Sequence, residues 1–358
     1  MKQLASLFLL TSLITLSSYA TIRTVSNDPQ NPAQFTTIQA AVNAAVAGDT
    51  IYVNVSPTDY SENVTLIKRV ILIGGGYKSS NQLNYKTYVS GGIFMSISGA
   101  NDPSGTVICG FEVNQIASGL PINNIRIFRN LIRAGVSVYG NNWNIYNNLI
   151  PSAISMSAGT GTTNLFIQNN LFGIGGFISS SISVSSIIID HNVFQSSFTK
   201  LNNVKFATIT NNIFASGSSD FVFDNGCTSN NFNNNLSTTI NVSVTAPTNS
   251  FASGPNTEAG NFVGVNPLFV NVADLTLYAA INNYRLQSTS PVKNAGTDGT
   301  DLGIYGGSYP FPSGGAPGSG FDTSALPPIP QVTGVNIQNG TLAPGAQLKV
   351  TIQATTNN

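Results

Sequence analysis

Charge is scarce in this chain of 358 residues: only 8% of them are Asp, Glu, Lys or Arg, and the formal net charge is zero. No basic segment is concentrated enough to hold nucleic acid, so the composition excludes a nucleic-acid partner. Long apolar runs are also missing after the first 20 residues. Because a membrane helix needs roughly 20 apolar residues, the sequence predicts no transmembrane segment in the mature chain.

The first 20 residues have the pattern of a secretory signal peptide. Lys2 precedes the apolar run LASLFLLTSLITL, and the small-residue stretch SSYA ends at Ala20. Such a segment is removed on export. We therefore expect cleavage near Ala20 and a mature protein that is secreted or held at the cell surface.

Between residues 125 and 236 the chain repeats an apolar-x-apolar-x-x-Asn-apolar phrase six times, at intervals of 18 to 23 residues. An apolar residue, Ile in five repeats and Phe in the sixth, stands three positions before each Asn, and Leu, Val or Ile follows it directly. A period near 20 with alternating strand character indicates a solenoid, in which stacked turns bury each other's apolar rows. The repeated amides are Asn130, Asn148, Asn170, Asn192, Asn212 and Asn235.

The repeats predict a parallel β-helix, an all-β fold in which equivalent residues of successive turns lie about 4.8 Å apart. The Ile row and the Leu/Val row would form inward aliphatic columns, extended at the next corner by Phe172, Phe194 and Phe214. The Asn row would lie at a turn, because Asn tolerates a left-handed backbone. With these Asn ladders the sequence resembles the pectin-lyase-like superfamily of right-handed parallel β-helices, and it is similar to secreted proteins of Gram-negative bacteria. That superfamily includes lyases, hydrolases, esterases and proteins without known chemistry, so the resemblance implies a fold and no single activity.

We place the β-helix domain at residues 21–307. The stretch 35–53 predicts an N-terminal capping helix at about 37–47, with Thr36 or Thr37 as N-cap and Gly48 as the stop. Residues 59–76 and 106–113 predict early strands, and residues 266–272 and 283–307 resemble the closing segment of secreted bacterial β-helix proteins. The predicted buried face of the helix contains Ile38, Ala41, Val42, Ala45 and Val46.

The composition changes after residue 307. Residues 308–330 are rich in Pro, Gly and Ser and predict a linker, whereas residues 331–358 predict a C-terminal β-hairpin. Leu348, Val350 and Ile352 share one apolar face of its second strand. Because so short a hairpin cannot hold a core alone, we expect this face to dock on the solenoid or on a protein partner at the cell surface or outer membrane.

Cys109 and Cys227 are the only cysteines. About five turns would separate them, or about 25 Å at 4.8 Å per turn, whereas a disulfide requires Cα atoms within about 7 Å. The sequence therefore predicts two buried free thiols.

Enzymes of the superfamily need clustered carboxylates to bind calcium or to act as acid, base or nucleophile. Between residues 107 and 250 the only acids are Glu112, Asp190, Asp220 and Asp224. The segment SDFVFDNG (219–226) resembles the Asp-Phe-Ile-Phe-Gly motif of pectin methylesterases, which would make Asp220 catalytic. The second catalytic Asp and the oxyanion-site Gln residues of those enzymes have no counterpart here. We predict no catalytic residue, with Asp220 as the runner-up.

His191 is the only histidine and precedes a ladder Asn. Other turns fill this slot with Arg or Asn, which predicts a solvent-facing or turn-facing position. Asp190 and His191 would point to opposite faces of a strand, so we expect no pair.

Asp298 and Asp301 have the chemistry of calcium ligands, but Asp-rich and Gly-rich corners more often satisfy turn geometry. We predict no cofactor and no metal, with calcium as the alternative.

Phe128, Tyr146, Phe166 and Ile188 fall in rows that ought to face solvent. Apolar residues in such rows imply a cover or a ligand. Three alternatives remain for what covers these residues: residues 240–330 folded back over them, a glycan stacked on the rings, or a protein partner.

The predicted function is a non-catalytic secreted or cell-surface scaffold that binds a protein partner or a glycan, including as a subunit of an outer-membrane or surface assembly. The alternative is a polysaccharide-processing enzyme, pectin methylesterase-like or lyase-like.

Overall fold

The structure is a computed structural model that describes residues 20–77, 85–156, 163–173, 175–180, 185–195, 199–215, 221–244, 249–275, 282–311, 331–337, 345 and 347–355. Over these ranges the chain folds as an all-β parallel solenoid of about eight turns, followed by an antiparallel β-hairpin. The predicted signal peptide up to residue 19 and the linker residues 312–330 lie outside the described residues. Within the described ranges, no helix has the length and apolar character needed to cross a membrane.

One helix and 28 strands make up the described secondary structure. In chain order they are β1 (Ile22–Val25), α1 (Ile38–Ala44), β2 (Thr50–Val53), β3 (Val64–Leu66), β4 (Ile71–Gly74), β5 (Tyr88–Met95), β6 (Val107–Cys109), β7 (Glu112–Ser118), β8 (Arg126–Phe128), β9 (Leu131–Val138), β10 (Trp143–Tyr146), β11 (Leu149–Ile150), β12 (Ala153–Met156), β13 (Thr163–Gln168) and β14 (Leu171–Phe172). They continue with β15 (Phe177–Ser180), β16 (Ser185–Asp190), β17 (Val193–Gln195), β18 (Leu201–Asn202), β19 (Ala207–Thr210), β20 (Ile213–Ala215), β21 (Asn231–Asn233), β22 (Leu236–Ser237), β23 (Thr257–Ala259), β24 (Phe262–Val263), β25 (Phe269–Asn271), β26 (Asn283–Leu286), β27 (Gln331–Ile337) and β28 (Val350–Thr355).

Parallel pairing joins each turn to the next. The first sheet has eleven strands in the order β1-β2-β4-β6-β8-β10-β13-β16-β19-β21-β23, and the second sheet has thirteen. In the second sheet β9 pairs with β7 on one side and with both β11 and β12 on the other. The long strands of the early turns therefore give way to two shorter strands in each of the next three turns, namely β11 and β12, β14 and β15, and β17 and β18.

The predicted inward rows fill the main core. The row three residues before the ladder Asn is buried there from Ile127 to Phe232. At the next corner Phe172, Phe194 and Phe214 stack with centroid separations of 4.3 and 5.0 Å. Stacked rings add to the gain from buried area, so each turn stabilises its neighbours.

The Asn ladder is confirmed: all six predicted side chains are fully buried, and Asn261 extends the column by one turn. At Asn170, Oδ1 accepts from the backbone N of Asn148 at 3.0 Å and from its Nδ2 at 3.0 Å. Nδ2 of Asn170 donates to the carbonyls of Ile145 and Gln168 at 2.8 and 3.0 Å. Because an unpaired buried polar group costs about 1–3 kcal/mol, these bonds favour Asn at every step of the ladder.

The left-handed turn lies one residue earlier than predicted. The ladder Asn residues do not adopt it; the residues before them do. This change of hand ends the strand and lets the ladder side chain point inward. The column has φ between 49 and 58° at Arg129, Asn147, Asn169, His191, Asn211 and Asn234, and we call these residues the corner column.

The predicted capping helix is present but shorter. Thr37 caps it as predicted, and Ile38, Ala41 and Val42 are buried in the main core. The backbone becomes extended directly after residue 44, so Gly48 does not end the helix. Val46, assigned to the buried face, is 47% exposed for the same reason.

The Leu/Val row faces outward, which contradicts the predicted inward column. Since the ladder Asn points inward, strand alternation turns the next residue to the other side. The row joins a second hydrophobic cluster, and the described residues 266–275 and 282–311, which we call the closing segment, cover it. The covered side chains are Leu149, Leu171, Val193, Ile213 and Leu236, and the covering ones include Phe269, Tyr284, Leu286, Val292, Leu302, Ile304 and Phe311.

Both cysteines are free and buried, as predicted. Burial raises the pKa of the Cys109 thiol to about 12 and also raises the pKa of the Cys227 thiol. Neither thiol is a reactive nucleophile at neutral pH.

Candidate functional site

The outward residues of β2, β4, β6, β8, β10, β13 and β16 form two columns on the first sheet, which we call the outer face. One column contains Thr50, Ile71, Val107, Arg126, Asn144, Phe166 and Ile188, and the other contains Tyr52, Ile73, Cys109, Phe128, Tyr146, Gln168 and Asp190.

The four predicted binding residues are neighbours on the outer face. Phe128 and Tyr146 are register partners, and their rings stack with centroids 4.9 Å apart and planes 9° from parallel. Phe166 and Ile188 pair in the adjacent column. All four are half-buried. The pattern of apolar side chains on an outward surface is therefore confirmed by their positions.

Among the described residues, the closing segment contacts the outer face at Tyr146. The ring of Tyr309 lies 4.6 Å from that of Tyr146, and Asn147 Nδ2 donates to the Tyr309 carbonyl at 2.8 Å. Most of the segment lies on the Leu/Val row instead. In the part of residues 240–330 that the structure describes, the chain that folds back thus lies mainly over a different surface.

The apolar part of the outer face extends beyond the predicted residues. Ile73, Val107 and Cys109 continue it toward the N-terminus and are buried although they lie in outward register. They were missed because the repeat phrase is absent from the early turns. The alternation around Ile108, a main-core residue, was the available signal.

Two arginines flank the aromatic pair. Arg126 is exposed on the outer face, and Arg129 follows at the corner. Burial raises the pKa of Tyr146, and the charges of both arginines oppose that rise, which places them near the phenol. From β2 to β13 the outer face contains no acidic side chain, so this part of the surface is apolar and positively charged.

From Asn147 to Asn234 the corner column bonds the closing segment, so these residues occupy the turn-facing environment, one of the two predicted for this position. Asn169 Nδ2 donates to the Gly306 carbonyl at 2.7 Å, and Asn234 Nδ2 donates to the Ala295 carbonyl at 2.8 Å. Asn211 Nδ2 donates to Thr297 Oγ1 at 3.0 Å, and Asn211 Oδ1 accepts from the backbone N of Thr297 at 2.8 Å. The backbone carbonyls of the extended closing segment need hydrogen-bond partners. The polar side chains of the corner column donate these bonds.

His191 and Asp190 are in contact, contrary to the prediction. His191 is 1% exposed, and its Nδ1 lies 2.9 Å from Asp190 Oδ2, an ion-pair distance without hydrogen-bond geometry. The strand ends at Asp190, and the left-handed His191 turns its ring to the same side. On the other edge Nε2 lies 3.1 Å from Thr300 Oγ1 and 3.7 Å from Asp298 Oδ1.

The two candidate calcium ligands have separate protein partners. Asp298 Oδ1 accepts from Thr300 N and Oγ1 at 3.0 and 2.8 Å. Burial acts to raise the pKa of Asp298, but these bonds and the nearby His191 lower it overall. Asp301 lies 3.1 Å from Lys293 Nζ. In the described ranges no group of three His, Cys, Asp or Glu side chains is arranged to hold a metal ion.

A second titratable cluster lies on the second sheet. Glu112 is 2% exposed, with Lys86 Nζ 2.8 Å from Oε2 and Arg133 Nε donating to Oε1 at 2.6 Å. Both cations also lie over the ring of Tyr88, at 4.6 and 5.2 Å from its centroid. Each oxygen of Glu112 thus has a cationic partner.

Two further predicted sites, Asp220 and the apolar face of the hairpin, lie away from the outer face and from the Glu112 cluster. Asp220 falls in residues 216–220, outside the described part of the chain. In the hairpin, Val335 pairs with Ile352 and Ile337 pairs with Val350. These four residues and Leu348 are exposed.

The fold and these surfaces define a parallel β-solenoid protein with an apolar, arginine-flanked outer face. No family model matches the chain, and no curated protein matches it.

Proposed function

We propose that the chain is an exported scaffold that binds an acidic polysaccharide on its outer face without turning it over. The observation that supports this most is the stacked pair Phe128 and Tyr146 beside Arg126 and Arg129. Export rests on the signal-peptide pattern of residues 1–20.

The chemistry of the outer face fits such a ligand. Aromatic rings present flat apolar surface with a polar tip, which suits amphipathic ligands such as sugar rings. Guanidinium groups bind carboxylate or sulfate groups through paired N–H donors. A column of side chains at about 4.8 Å spacing offers contacts along the length of an extended chain.

The test is binding of the mature chain to polygalacturonate and chondroitin sulfate, with neutral dextran as the ligand control. We expect retardation in affinity electrophoresis with the acidic polymers only. Tyr146→Ala and Arg126→Gln should each weaken binding about tenfold, a loss of about 1.4 kcal/mol. Phe206→Ala changes an exposed residue and Lys205→Gln a half-buried one, both outside the outer face, and both variants should bind normally. Equal binding of dextran, or unchanged binding by both outer-face variants, would contradict the proposal.

A polysaccharide-processing enzyme is the second candidate, and the cluster of Lys86, Tyr88, Glu112 and Arg133 is the observation that favours it. A lyase needs a base and a cation beside the reacting carbon. Here both oxygens of Glu112 are engaged by cations, which leaves neither to take a proton from a substrate. Unsaturated products, reducing ends or methanol released from pectin, polygalacturonate or alginate, and lost in Arg133→Gln, would establish the enzyme instead.

The hairpin supports a role in attachment. Its exposed apolar residues give it a face suited to a protein partner at the cell surface, and its open strand edges can extend another sheet. Pull-down from the native envelope with and without residues 331–358 tests this part of the proposal. Recovery of the same proteins by both forms would refute it.

A further inference from the structure

The last turns contain a pocket that is separate from the outer face. Its volume is about 370 Å³, and its lining includes Phe223, Asp224, Cys227, Ser243 and Pro255. A single water occupies about 30 Å³ of liquid. The pocket therefore has room for one small ring compound.

Ser243 lies where earlier turns have core residues. Successive bridges align it with Phe223 and Leu201, and the same column continues through Ile178 and Ile154. Ser243 is 1% exposed, and its hydroxyl is buried without a hydrogen-bond partner. Leaving that hydroxyl unpaired costs about 1–3 kcal/mol, so a rotation of the Ser243 side chain that brings the hydroxyl to a polar occupant of the adjoining pocket is favoured.

The remaining walls define the chemistry of that occupant. Asp224 Oδ1 accepts from the backbone of Asn203 and Gly226 at 2.8 and 3.1 Å, which fixes a half-buried carboxylate at the pocket. Thr228 and Ser253 add hydroxyl groups, and Phe223 adds an apolar surface. None of the described residues of the lining is Lys, Arg or His, and the Asp224 carboxylate repels anions. Ligand hydroxyl groups are the complementary donors.

We infer that this pocket binds a neutral monosaccharide ring, either free or at the end of a chain. Ser243 Oγ and the Asp224 carboxylate hydrogen-bond its hydroxyl groups, and Phe223 and Pro255 contact its apolar side. The site uses no residue of the outer face, so it stands whether or not acidic polysaccharide binds there.

Saturation-transfer NMR on the mature chain with glucose, galactose and N-acetylglucosamine tests the inference, with glucuronate as the anionic counterpart. We expect transfer to at least one neutral sugar and at least tenfold weaker binding of glucuronate, which the Asp224 carboxylate repels. Ser243→Ala should weaken binding about tenfold while the Tm stays equal or rises, because an unpaired buried hydroxyl is removed. Asp224→Asn keeps an oxygen for the turn and should also weaken binding, whereas Thr208→Ala on the first sheet should not.

Cys227 provides an independent measurement, since it lines the pocket and Cys109 does not. A ligand-induced shift of the Cys227 amide resonance in NMR, with no shift at Cys109, should therefore accompany binding of the neutral sugar. The inference is overturned if no neutral sugar gives transfer, if glucuronate binds equally well, or if a folded Ser243→Ala variant keeps full affinity.

Discussion

His191 Nε2 lies 3.1 Å from Thr300 Oγ1, although the two residues are 109 positions apart in the chain. Thr300 Oγ1 donates its own proton to Asp298 Oδ1 at 2.8 Å, so it accepts from Nε2–H of the imidazole. The contact joins a corner of the solenoid to the closing segment. Four other bonded corners, from Asn147 to Asn234, hold the same segment.

Replacement of His191 separates the two roles of this corner, the left-handed turn and the bond to Thr300. His191→Asn keeps a residue that tolerates positive φ, as in neighbouring turns, and should lose about 1 kcal/mol with the hydrogen bond. His191→Ala adds backbone strain and should cost about 1–2 kcal/mol more. Urea denaturation measures both, and equal losses for the two variants would show that turn strain plays no part.

Gly306→Ala should loosen the closing segment. A Cβ at Gly306 would meet the Asp301 carbonyl oxygen at 1.8 Å and His191 Cδ2 at 2.7 Å, so the backbone must move. We expect faster proteolysis within residues 266–311 and dye binding to the uncovered Leu/Val row. Gly119→Ala is the matched control, because its Cβ meets nothing within 4 Å. Unchanged proteolysis in Gly306→Ala would mean that the segment is not held at this point.

Asn170→Leu should destabilise the middle of the ladder. The substitution leaves the backbone N of Asn148 and the carbonyls of Ile145 and Gln168 without their partners. We expect a loss of about 3 kcal/mol in the free energy of unfolding. Gln168→Leu changes an outward residue of the same strand and should stay within about 0.5 kcal/mol. An unchanged Tm for Asn170→Leu would contradict the account of the ladder.

The sequence was sufficient to predict the solenoid because its period and its Asn column depend on contacts between equivalent residues. It was insufficient for the Leu/Val row, since an apolar residue beside a turn fits an inward column or a covered outer surface equally well. Only the position of the left-handed residue decides between these two arrangements. Arg129 and His191 have positive φ, but unlike Gly these residue types do not predict it from sequence. Two partners of His191, Asp298 and Thr300, lie more than 100 positions further along the chain, and no local pattern predicts such distant pairing.

Acid should weaken the N-terminal end through Asp49. Its side chain is fully buried and accepts from Arg23 Nε at 2.9 Å and from the backbone N of Thr21 and Val46 at 2.8 and 3.0 Å. Burial acts to raise the pKa of Asp49, but these bonds outweigh it and hold the pKa below 3.8. A depressed pKa adds stability above the unfolded pKa, and this stability is lost as pH falls through the folded value.

The measurement is the Tm of the native chain and of Asp49→Asn from pH 7 to pH 2. The variant should be less stable at neutral pH, and the difference should narrow below about pH 4. Asp102→Asn, at an exposed turn, should match the native Tm at pH 7. A difference between Asp49→Asn and the native chain that is constant over the whole range would show that the charge of Asp49 contributes nothing.

Deletion of residues 331–358 should leave the solenoid intact. Val335, Ile337, Leu348, Val350 and Ile352 are 43 to 62% exposed and belong to neither hydrophobic cluster. Because exposed apolar residues contribute little to the free energy of unfolding, we expect the Tm to change by less than 2 °C, which corresponds to about 0.5 kcal/mol.

Retention at the cell surface should fall on the same deletion, because a two-stranded hairpin with one apolar face is marginal alone and gains stability from a partner. Leu348→Ser with Ile352→Ser should lower retention to the same extent, whereas Lys349→Ser, on the opposite face, should not. A large fall in Tm on deletion would instead make the hairpin a cover of its own solenoid.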